Sequence, residues 1–284
     1  SPTATQVLFE TLAKSGLRAI AGLTLMDQRC PSVVCVSAEI ALAAVEEIAG
    51  AFHGYDDGRL AFAITPRFAP TCSRELLERA AQLASDQNLY VQTHISENSH
   101  EVFVALEVHP WARDYLDVYE RTGLLGPKTL LAHAIHLSPA EWDRVRICDA
   151  RIVHCPDSNF FLGSGHHPLT EPENRGVPVA IGTDVAAGRT FDVRRIMSSA
   201  YDNALCLKHM VLPEKLFRLG TLGGAEALGL DKVIGSLEPG KEADFCLIEV
   251  PAYVHDLADV LSRIVFSSDT TPVRGTYVRG KRLV

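Results

Sequence analysis

A repeated alternation of strand-length apolar runs with helix-length amphipathic segments constrains this chain most, and it continues to about residue 230. Six runs are apolar on successive residues, as strands buried on both faces should be. They cover residues 17–25, 60–65, 89–94, 129–133, 150–154 and 177–184. Strand–helix repeats of this kind indicate a parallel sheet with helical crossovers. We therefore expect an α/β fold, a TIM-type (β/α)8 barrel that is incomplete, with about six of the eight strands present.

Capping residues mark where several crossover helices begin. Residues 38–51 have a helical pattern, and Ser73 is placed to cap a helix that continues to residue 87. Ser138 is followed by Pro139 and by Glu141, which is the spacing of a capping box. These signals predict helices between the strands of the sheet.

Beyond residue 230 the sequence changes character. Residues 231–240 are rich in turn formers, residues 244–250 read as a strand, and residues 272–284 read as a β-hairpin. We expect residues 1–232 to form the partial barrel and residues 233–284 to form part of a small β-sandwich domain with a return segment.

Charge and cysteine content exclude some classes of protein. The net charge is −8, which disfavours nucleic acid as a partner. No run approaches the roughly 20 apolar residues of a membrane helix, so no membrane partner is expected. The seven cysteines are scattered without a CxxC motif, which predicts reduced and mostly buried thiols in a cytoplasmic protein.

Titratable residues end four of the six predicted strands: His94, His133, His154 and Asp184. In a βα barrel the carboxyl ends of the strands form the active-site face, so these side chains are expected to converge. Imidazole nitrogens and a carboxylate are ligands that suit zinc. The pattern therefore predicts metal-dependent or acid–base chemistry.

Glu97 follows His94 by three residues, a placement that suits a proton shuttle beside a metal. The alternative is a charge at a helix N-terminus, capped by Ser96 or Asn98. Asp184 has a similar alternative, as the cap of a helix near Phe191.

Other histidines and one cysteine carry weaker signals. His154 is expected to shape the loop after its strand, and the pair His166 and His167 to lie in a loop near the barrel mouth. Cys155 is expected to be a buried thiol rather than a nucleophile, because no orienting partner stands at a readable spacing.

Six motifs together carry a resemblance to a known family. They are TPRF at 65–68, THISEN at 93–98, AHAIHLS at 132–138, HCPDSN at 154–159, GTDVAAG at 182–188 and TLGGAEALGL at 221–230. The chain resembles the amidohydrolase superfamily in its metal-dependent aminohydrolase branch, and most closely those members that deaminate guanine. Residues 235–249 are similar to the segment in which such enzymes return from the barrel to the β-sandwich.

The resemblance implies a role for each matching residue. His94 and Asp184 would bind one zinc ion, Asp184 would also act as a base, and Glu97 would relay a proton to a ring nitrogen. His133 would lie beside the attacking water or the substrate. Arg67 would donate hydrogen bonds to the purine carbonyl and Phe68 would stack on the ring. The implied reaction converts guanine to xanthine and ammonia, and the family also suggests a homodimer.

The sequence departs from the family pattern at one point. Family members begin with a strand that ends in H-x-H, two further zinc ligands, and this sequence contains no H-x-H. We interpret the chain as lacking the N-terminal part of a longer enzyme; a site completed by another chain and a degenerate homologue are the alternatives. The chain alone is expected to be metal-poor and inactive.

Two other functions compete with guanine deamination. One is an aminohydrolase of the same superfamily that acts on a triazine, cytosine or an adenosine derivative. The other is a non-catalytic homologue that acts as a binding module.

Overall fold

A computed structural model describes all 284 residues, Ser1–Val284, with ten strands and thirteen α-helices. The strands are β1 (Ala19–Ala21), β2 (Thr24–Leu25), β3 (Leu60–Pro66), β4 (Tyr90–Ile95), β5 (Thr129–His133), β6 (Arg151–His154), β7 (Val179–Ile181), β8 (Phe245–Ile248), β9 (Val273–Val278) and β10 (Lys281–Arg282). The helices are α1 (Pro2–Ser15), α2 (Ala38–Phe52), α3 (Tyr55–Gly58), α4 (Arg74–Asp86), α5 (Ser99–Val108), α6 (Tyr115–Arg121), α7 (Pro139–Ile147), α8 (Pro156–Leu162), α9 (Thr170–Arg175), α10 (Val193–Cys206), α11 (Pro213–Leu219), α12 (Leu222–Ala227) and α13 (Leu257–Phe266). Two 3-10 turns cover Ala69–Thr71 and Ser268–Thr270.

Seven strands form one sheet in the order β1-β3-β4-β5-β6-β7, with β2 also paired to β3. The pairs β1–β3, β2–β3, β3–β4 and β6–β7 are parallel. A mostly parallel sheet with helical crossovers is the sheet of an incomplete TIM barrel, so the predicted fold class is confirmed. By its internal contacts the chain divides into a first unit, Ser1–Ala132 with His136–Ala150, and a second unit, His133–Ile135 with Arg151–Val284.

The predicted strand at residues 17–25 is two strands, β1 and β2, which both pair with β3. The interruption lies at Gly22, where an added Cβ would lie 1.7 Å from the carbonyl oxygen of Ala63. The chain passes so close to β3 here that only glycine fits. The sheet therefore has one strand more than the six expected.

The first unit is packed around aromatic rings from three elements. Phe9 of α1 stacks on Phe52 of α2 and on Phe62 of β3, with centroid distances of 5.1 and 5.5 Å. Phe9 and Phe62 are fully buried, and such stacking adds to the free energy gained by burying the rings.

The predicted helix caps of the first unit are confirmed. The hydroxyl of Ser73 accepts a hydrogen bond from the amide of Leu76, at the start of α4. Ser138 and Glu141 form the capping box that begins α7. Each cap satisfies amide groups that the helix itself leaves without an acceptor.

The second unit has its core between α10, α11 and α13, where Met197, Ala200, Leu216 and Val265 are buried together. Its C-terminal part carries a separate three-stranded antiparallel sheet in the order β10-β9-β8. The strand expected within residues 244–250 and the hairpin expected within 272–284 are both present. The domain boundary between residues 232 and 233 stays a prediction.

The cysteines differ from the expectation of seven reduced and mostly buried thiols. Cys30 and Cys35 form a disulfide, because a turn in which Cys35 donates to the carbonyl of Pro31 brings their Cα atoms to 5.5 Å. Of the five free cysteines, Cys72 and Cys155 are buried, whereas Cys206 and Cys246 are exposed. None of the helices combines the length and the apolar character needed to cross a bilayer.

Candidate metal and substrate site

His94 lies near the carboxyl end of β4, and its ring orientation is set by the neighbouring strand. Its Nδ1 lies 2.7 Å from the backbone carbonyl oxygen of Arg67. A carbonyl oxygen only accepts hydrogen bonds, so Nδ1 of His94 donates to it. The ring of the half-buried His94 is therefore oriented by the main chain that follows β3.

His133 is the last residue of β5 and is buried. Its Nδ1 lies 2.9 Å from the side-chain oxygen of Asn159 in α8. His133 and Ala134 both have left-handed backbone angles, with φ of 72° and 50°, so the chain turns sharply as the strand ends. Left-handed backbone angles cost free energy in residues that have a Cβ. The surrounding contacts must therefore stabilise this turn.

Asp184 lies three residues after β7, which is shorter than the predicted strand at 177–184. Its carbonyl accepts hydrogen bonds from the amides of Ala187 and Gly188, at 3.1 and 2.6 Å. A Cβ at Gly188 would lie 1.8 Å from the carbonyl oxygen of Thr183, so this tight turn requires glycine. Asp184 caps no helix, because Asp192 caps α10.

Three possible ligand atoms, one each from His94, His133 and Asp184, lie within 4.8 Å of one another. Two imidazoles and a carboxylate are a donor set that zinc and other borderline divalent metals accept. The set fits a metal ion, and it is the group that the strand ends predicted, without His154.

Glu97 lies beside the N-terminus of α5, as its alternative interpretation expects. Asn98 caps α5 and forms a capping box with Glu101. The backbone amide of Glu97 also donates to the side chain of Glu101, at 2.9 Å. Burial raises the pKa of Glu101, and the nearby charge of Glu97 raises it further. The half-buried Glu97 follows the end of β4, three residues after His94, and its role as a proton shuttle stays a prediction.

Arg67 and Phe68 directly follow β3. The Arg67 guanidinium carbon lies 5.1 Å from the centroid of the Phe68 ring, and Nη1 lies 3.8 Å from the sulfur of Met26. The Arg67 side chain is exposed and the Phe68 ring is half-buried, so both offer surface to a ligand.

Tyr119 of α6, which sequence reasoning missed, joins the residues that follow β3 to the end of β4. Its fully buried hydroxyl accepts from the amide of Ala69 at 2.9 Å and from Thr93 at 3.1 Å, and donates to the carbonyl of His94 at 2.8 Å. No sequence signal could have identified it, because its partners lie 25 to 50 residues away.

His154 and His167 form a stacked pair, with ring centroids 4.7 Å apart and no exposed surface. Burial lowers the pKa of His154 well below its usual value, and the neighbouring imidazoles of His167 and His133 lower it further. Burial also lowers the pKa of His167, to about 4. Both rings are therefore neutral near pH 7.

The pair His166 and His167 diverges, as expected for adjacent loop residues. His166 is exposed, with its ring 5.5 Å from the ring of Phe160. His167 is in the predicted loop but turns inward, where its Nδ1 donates to the backbone carbonyl of His133 at 2.8 Å.

The chain is similar to known proteins in both sequence and fold. The sequence profile of the amidohydrolase family matches residues 2–283. Guanine deaminase of Escherichia coli (strain K12) is 37% identical over 290 residues, which cover 99% of this chain and 66% of that protein. Its solved structure superposes with a TM-score of 0.95 at 35% identity, covering the whole of this chain and 69% of the other.

Two further solved structures that resemble this chain are of complexes with a ligand or a metal ion. Guanine deaminase of C. acetobutylicum, described with bound guanine in the active site, has a TM-score of 0.93 at 31% identity and covers 100% of this chain and 70% of its own. An adenosine deaminase of Xanthomonas campestris, described with bound zinc, has a TM-score of 0.86 at 26% identity, covering 98% of this chain and 63% of its own.

The fold, the donor set and the family profile agree, and the chain belongs to the amidohydrolase family. It spans about two thirds of the length of the Escherichia coli relative.

Proposed function

We propose that the full-length protein that contains this chain is a zinc-dependent aminohydrolase that converts guanine and water to xanthine and ammonia. The observation that carries the proposal is the His94–His133–Asp184 group, in a chain 37% identical to a guanine deaminase. The bound guanine of the C. acetobutylicum relative supports a purine as the substrate.

The zinc ion would be held by the imidazole of His94 and by the carboxylate of Asp184, with His133 beside the attacking water or the substrate. The ring of His94 is oriented by its contact with the carbonyl of Arg67, and the ring of His133 by its contact with Asn159. The metal supplies a Lewis acid that makes water a nucleophile at neutral pH.

The chain's own carboxylates would move the protons. Asp184 accepts a proton from the attacking water, and Glu97 delivers a proton to a ring nitrogen of guanine. Water adds at the carbon that bears the exocyclic amine, and the bond to that amine then breaks. The nitrogen takes the proton held by Asp184 and leaves as ammonia, the added hydroxyl gives its proton back to Glu97, and the ring becomes xanthine.

Arg67 and Phe68 would bind the purine. The exposed Arg67 guanidinium is a donor for the purine carbonyl, and the Phe68 ring is a surface on which a flat base can stack. The homodimer, the domain boundary at residue 232 and the cytoplasmic location stay predictions.

The test measures zinc content and ammonia release in the full-length protein. We expect about one zinc per chain, with guanine hydrolysed in preference to adenosine, cytosine and a triazine. His94→Gln should lose both zinc and ammonia release, whereas His100→Gln, at an exposed position on α5, should keep both. A metal-free wild-type protein, or one that prefers another amine, would contradict the proposal.

A further inference from the structure

Glu101 is a buried carboxylate on the first turn of α5, and both of its oxygens accept hydrogen bonds. One oxygen accepts from the backbone amide of Glu97 at 2.9 Å and from that of Asn98 at 3.4 Å. The other oxygen accepts from the hydroxyl of Tyr115 in α6. The side chain is shielded from water, since Glu101 is only 6% exposed. Its orientation is therefore fixed by these donors.

The capping box of α5 accounts for only part of this arrangement. A capping box requires that Glu101 accept from the amide of Asn98, the residue that caps the helix. The shorter contact of Glu101 is to the amide of Glu97, one residue before the cap. Tyr115 likewise has no part in a capping box. These two contacts join α5 to the turn that carries Glu97 and to α6.

The peptide group between Ser96 and Glu97 is bonded at both ends. Its carbonyl accepts from the amide of His136 at 3.1 Å, and its N–H group donates to Glu101. Ser96 has a left-handed φ of 50°, which costs free energy in a residue with a Cβ. Because a peptide group is planar, the two hydrogen bonds together fix the plane from which the Glu97 side chain starts.

Two tyrosines of α6 hold the main chain on either side of this peptide group. Tyr115 and Tyr119 are four residues apart on one face of the helix, with ring centroids 5.8 Å apart. Tyr119 donates to the carbonyl of His94, and Tyr115 donates to Glu101. Burial raises the pKa of Tyr115 well above its usual value, so its hydroxyl keeps its proton near pH 7 and stays a donor.

We propose that Glu101 is a positioning residue for the proton transfer: its carboxylate, oriented by Tyr115, fixes the peptide group before Glu97 and so holds the Glu97 side chain in place. The inference rests on the proposed function, in which Glu97 delivers the proton. Misplacing a reacting group by about 1 Å lowers a rate by about 100-fold, so loss of Glu101 should appear in kcat.

The test compares ammonia release from guanine by variants of the full-length, zinc-loaded protein. Glu101→Leu has a similar size and no acceptor, and it should lower kcat by about 10- to 100-fold with zinc content unchanged. Glu101→Gln keeps an oxygen that accepts from the two amides, so it should restore most of this loss. Tyr115→Phe removes only the group that orients Glu101 and should have a smaller effect than Glu101→Leu.

Asn98→Ala is the matched control, because it removes the other half of the same capping box. The side chain of Asn98 accepts from the amide of Glu101 at 2.9 Å, and its loss weakens the start of α5. The contact of Glu101 with the amide of Glu97 is kept, so kcat should stay close to that of the wild type. A fall in kcat as large as that of Glu101→Leu would overturn the inference.

A double-mutant cycle shows whether Glu101 acts through Glu97. In Glu97→Gln the proton transfer is already removed, so adding Glu101→Leu should not lower the residual kcat further. Single-turnover formation of xanthine, with enzyme in excess, measures these slow rates. A further fall of the size seen without Glu97→Gln would show a general structural effect and overturn the inference.

Hydrogen exchange at residue resolution gives a readout that does not depend on activity. The amide of Glu97 should exchange slowly in the wild type and faster in Glu101→Leu, because it donates to a buried acceptor. Rapid exchange in the wild type would overturn the inference, and this result requires no variant to fold. If the wild type released no ammonia from guanine, the proposed function would be contradicted, whereas the expected exchange pattern would still support Glu101 as the group that holds Glu97.

Discussion

Nδ1 of His94 and the backbone carbonyl oxygen of Arg67 are 2.7 Å apart, and the same oxygen accepts from the amide of His94 at 3.2 Å. The proposed metal ligand is therefore positioned by the main chain of the residue proposed to bind the substrate. The side chain of Arg67 takes no part in this contact. We therefore expect substitution at residue 67 to separate the proposed metal binding from the proposed substrate binding.

Arg67→Met should lower kcat/KM for guanine by about 10- to 100-fold, the effect of losing one hydrogen bond from a charged group. Zinc content should not change, because the carbonyl that orients His94 is still present. The measurements are ammonia release and metal analysis of the full-length protein. Arg74→Met, an exposed change on α4, serves as the control, and loss of zinc in Arg67→Met would refute the separation.

Tyr119→Phe should lower the free energy of unfolding by about 1–3 kcal/mol, because the amide of Ala69 and the carbonyl of His94 lose a buried partner. Urea unfolding measures the change. Tyr55→Phe removes a hydroxyl from an exposed side chain and should change stability by less than about 0.5 kcal/mol. Equal effects of the two substitutions would show that the Tyr119 hydroxyl contributes nothing specific.

The contribution of His53 to the free energy of unfolding should decrease as the pH is lowered. Nδ1 of His53 accepts from the amide of Phe62 at 3.1 Å, which requires an unprotonated ring, and burial together with the charge of Lys128 lowers the pKa of His53. In the unfolded chain the pKa of His53 is about 6.5, so below that pH the unfolded chain binds the proton more readily than the folded chain does. The stabilisation is thus present above that pH and is lost as the pH falls through the lowered folded pKa.

The corresponding measurement is urea unfolding of wild type and His53→Ala between pH 5 and pH 8. The variant should be less stable by about 1 kcal/mol at pH 8, and the difference should shrink towards pH 5. His100→Ala, at an exposed site, should follow the wild-type curve. A difference that does not depend on pH would argue against a neutral His53.

The disulfide between Cys30 and Cys35 predicts the number of reactive thiols. In denaturant without reductant, protein purified in air should show five thiols per chain, and seven after reduction. Reduction should also lower the free energy of unfolding by about 2 kcal/mol, the entropic effect of opening a short loop. Cys206→Ser should remove one thiol from both counts, and seven thiols before reduction would exclude the disulfide.

Features set by neighbouring residues were predictable from the sequence, and those that depend on distant contacts were not. The capping box at Ser138 and the bounds of β5 follow from local patterns, and both are present. The break at Gly22 depends on the carbonyl of Ala63, which no local pattern reports.

The candidate site divides in the same way. His94, His133 and Asp184 could be found because parallel strands bring their carboxyl ends together. Asn159 lies 26 residues from His133, and its contact depends on how α8 packs. The resemblance to the family predicted His94 and Asp184 as zinc ligands and gave no signal for the groups that orient the two histidines.

The turn at Gly188 also limits how substrate preference could change in descendants of this chain. The turn makes two amide contacts to the carbonyl of Asp184 and has no space for a side chain at Gly188, so a substitution of that glycine would displace the backbone. The exposed Arg67 side chain meets no such restriction. Libraries that seek a new substrate should therefore randomise residues 67 and 68 and leave residues 184–188 unchanged.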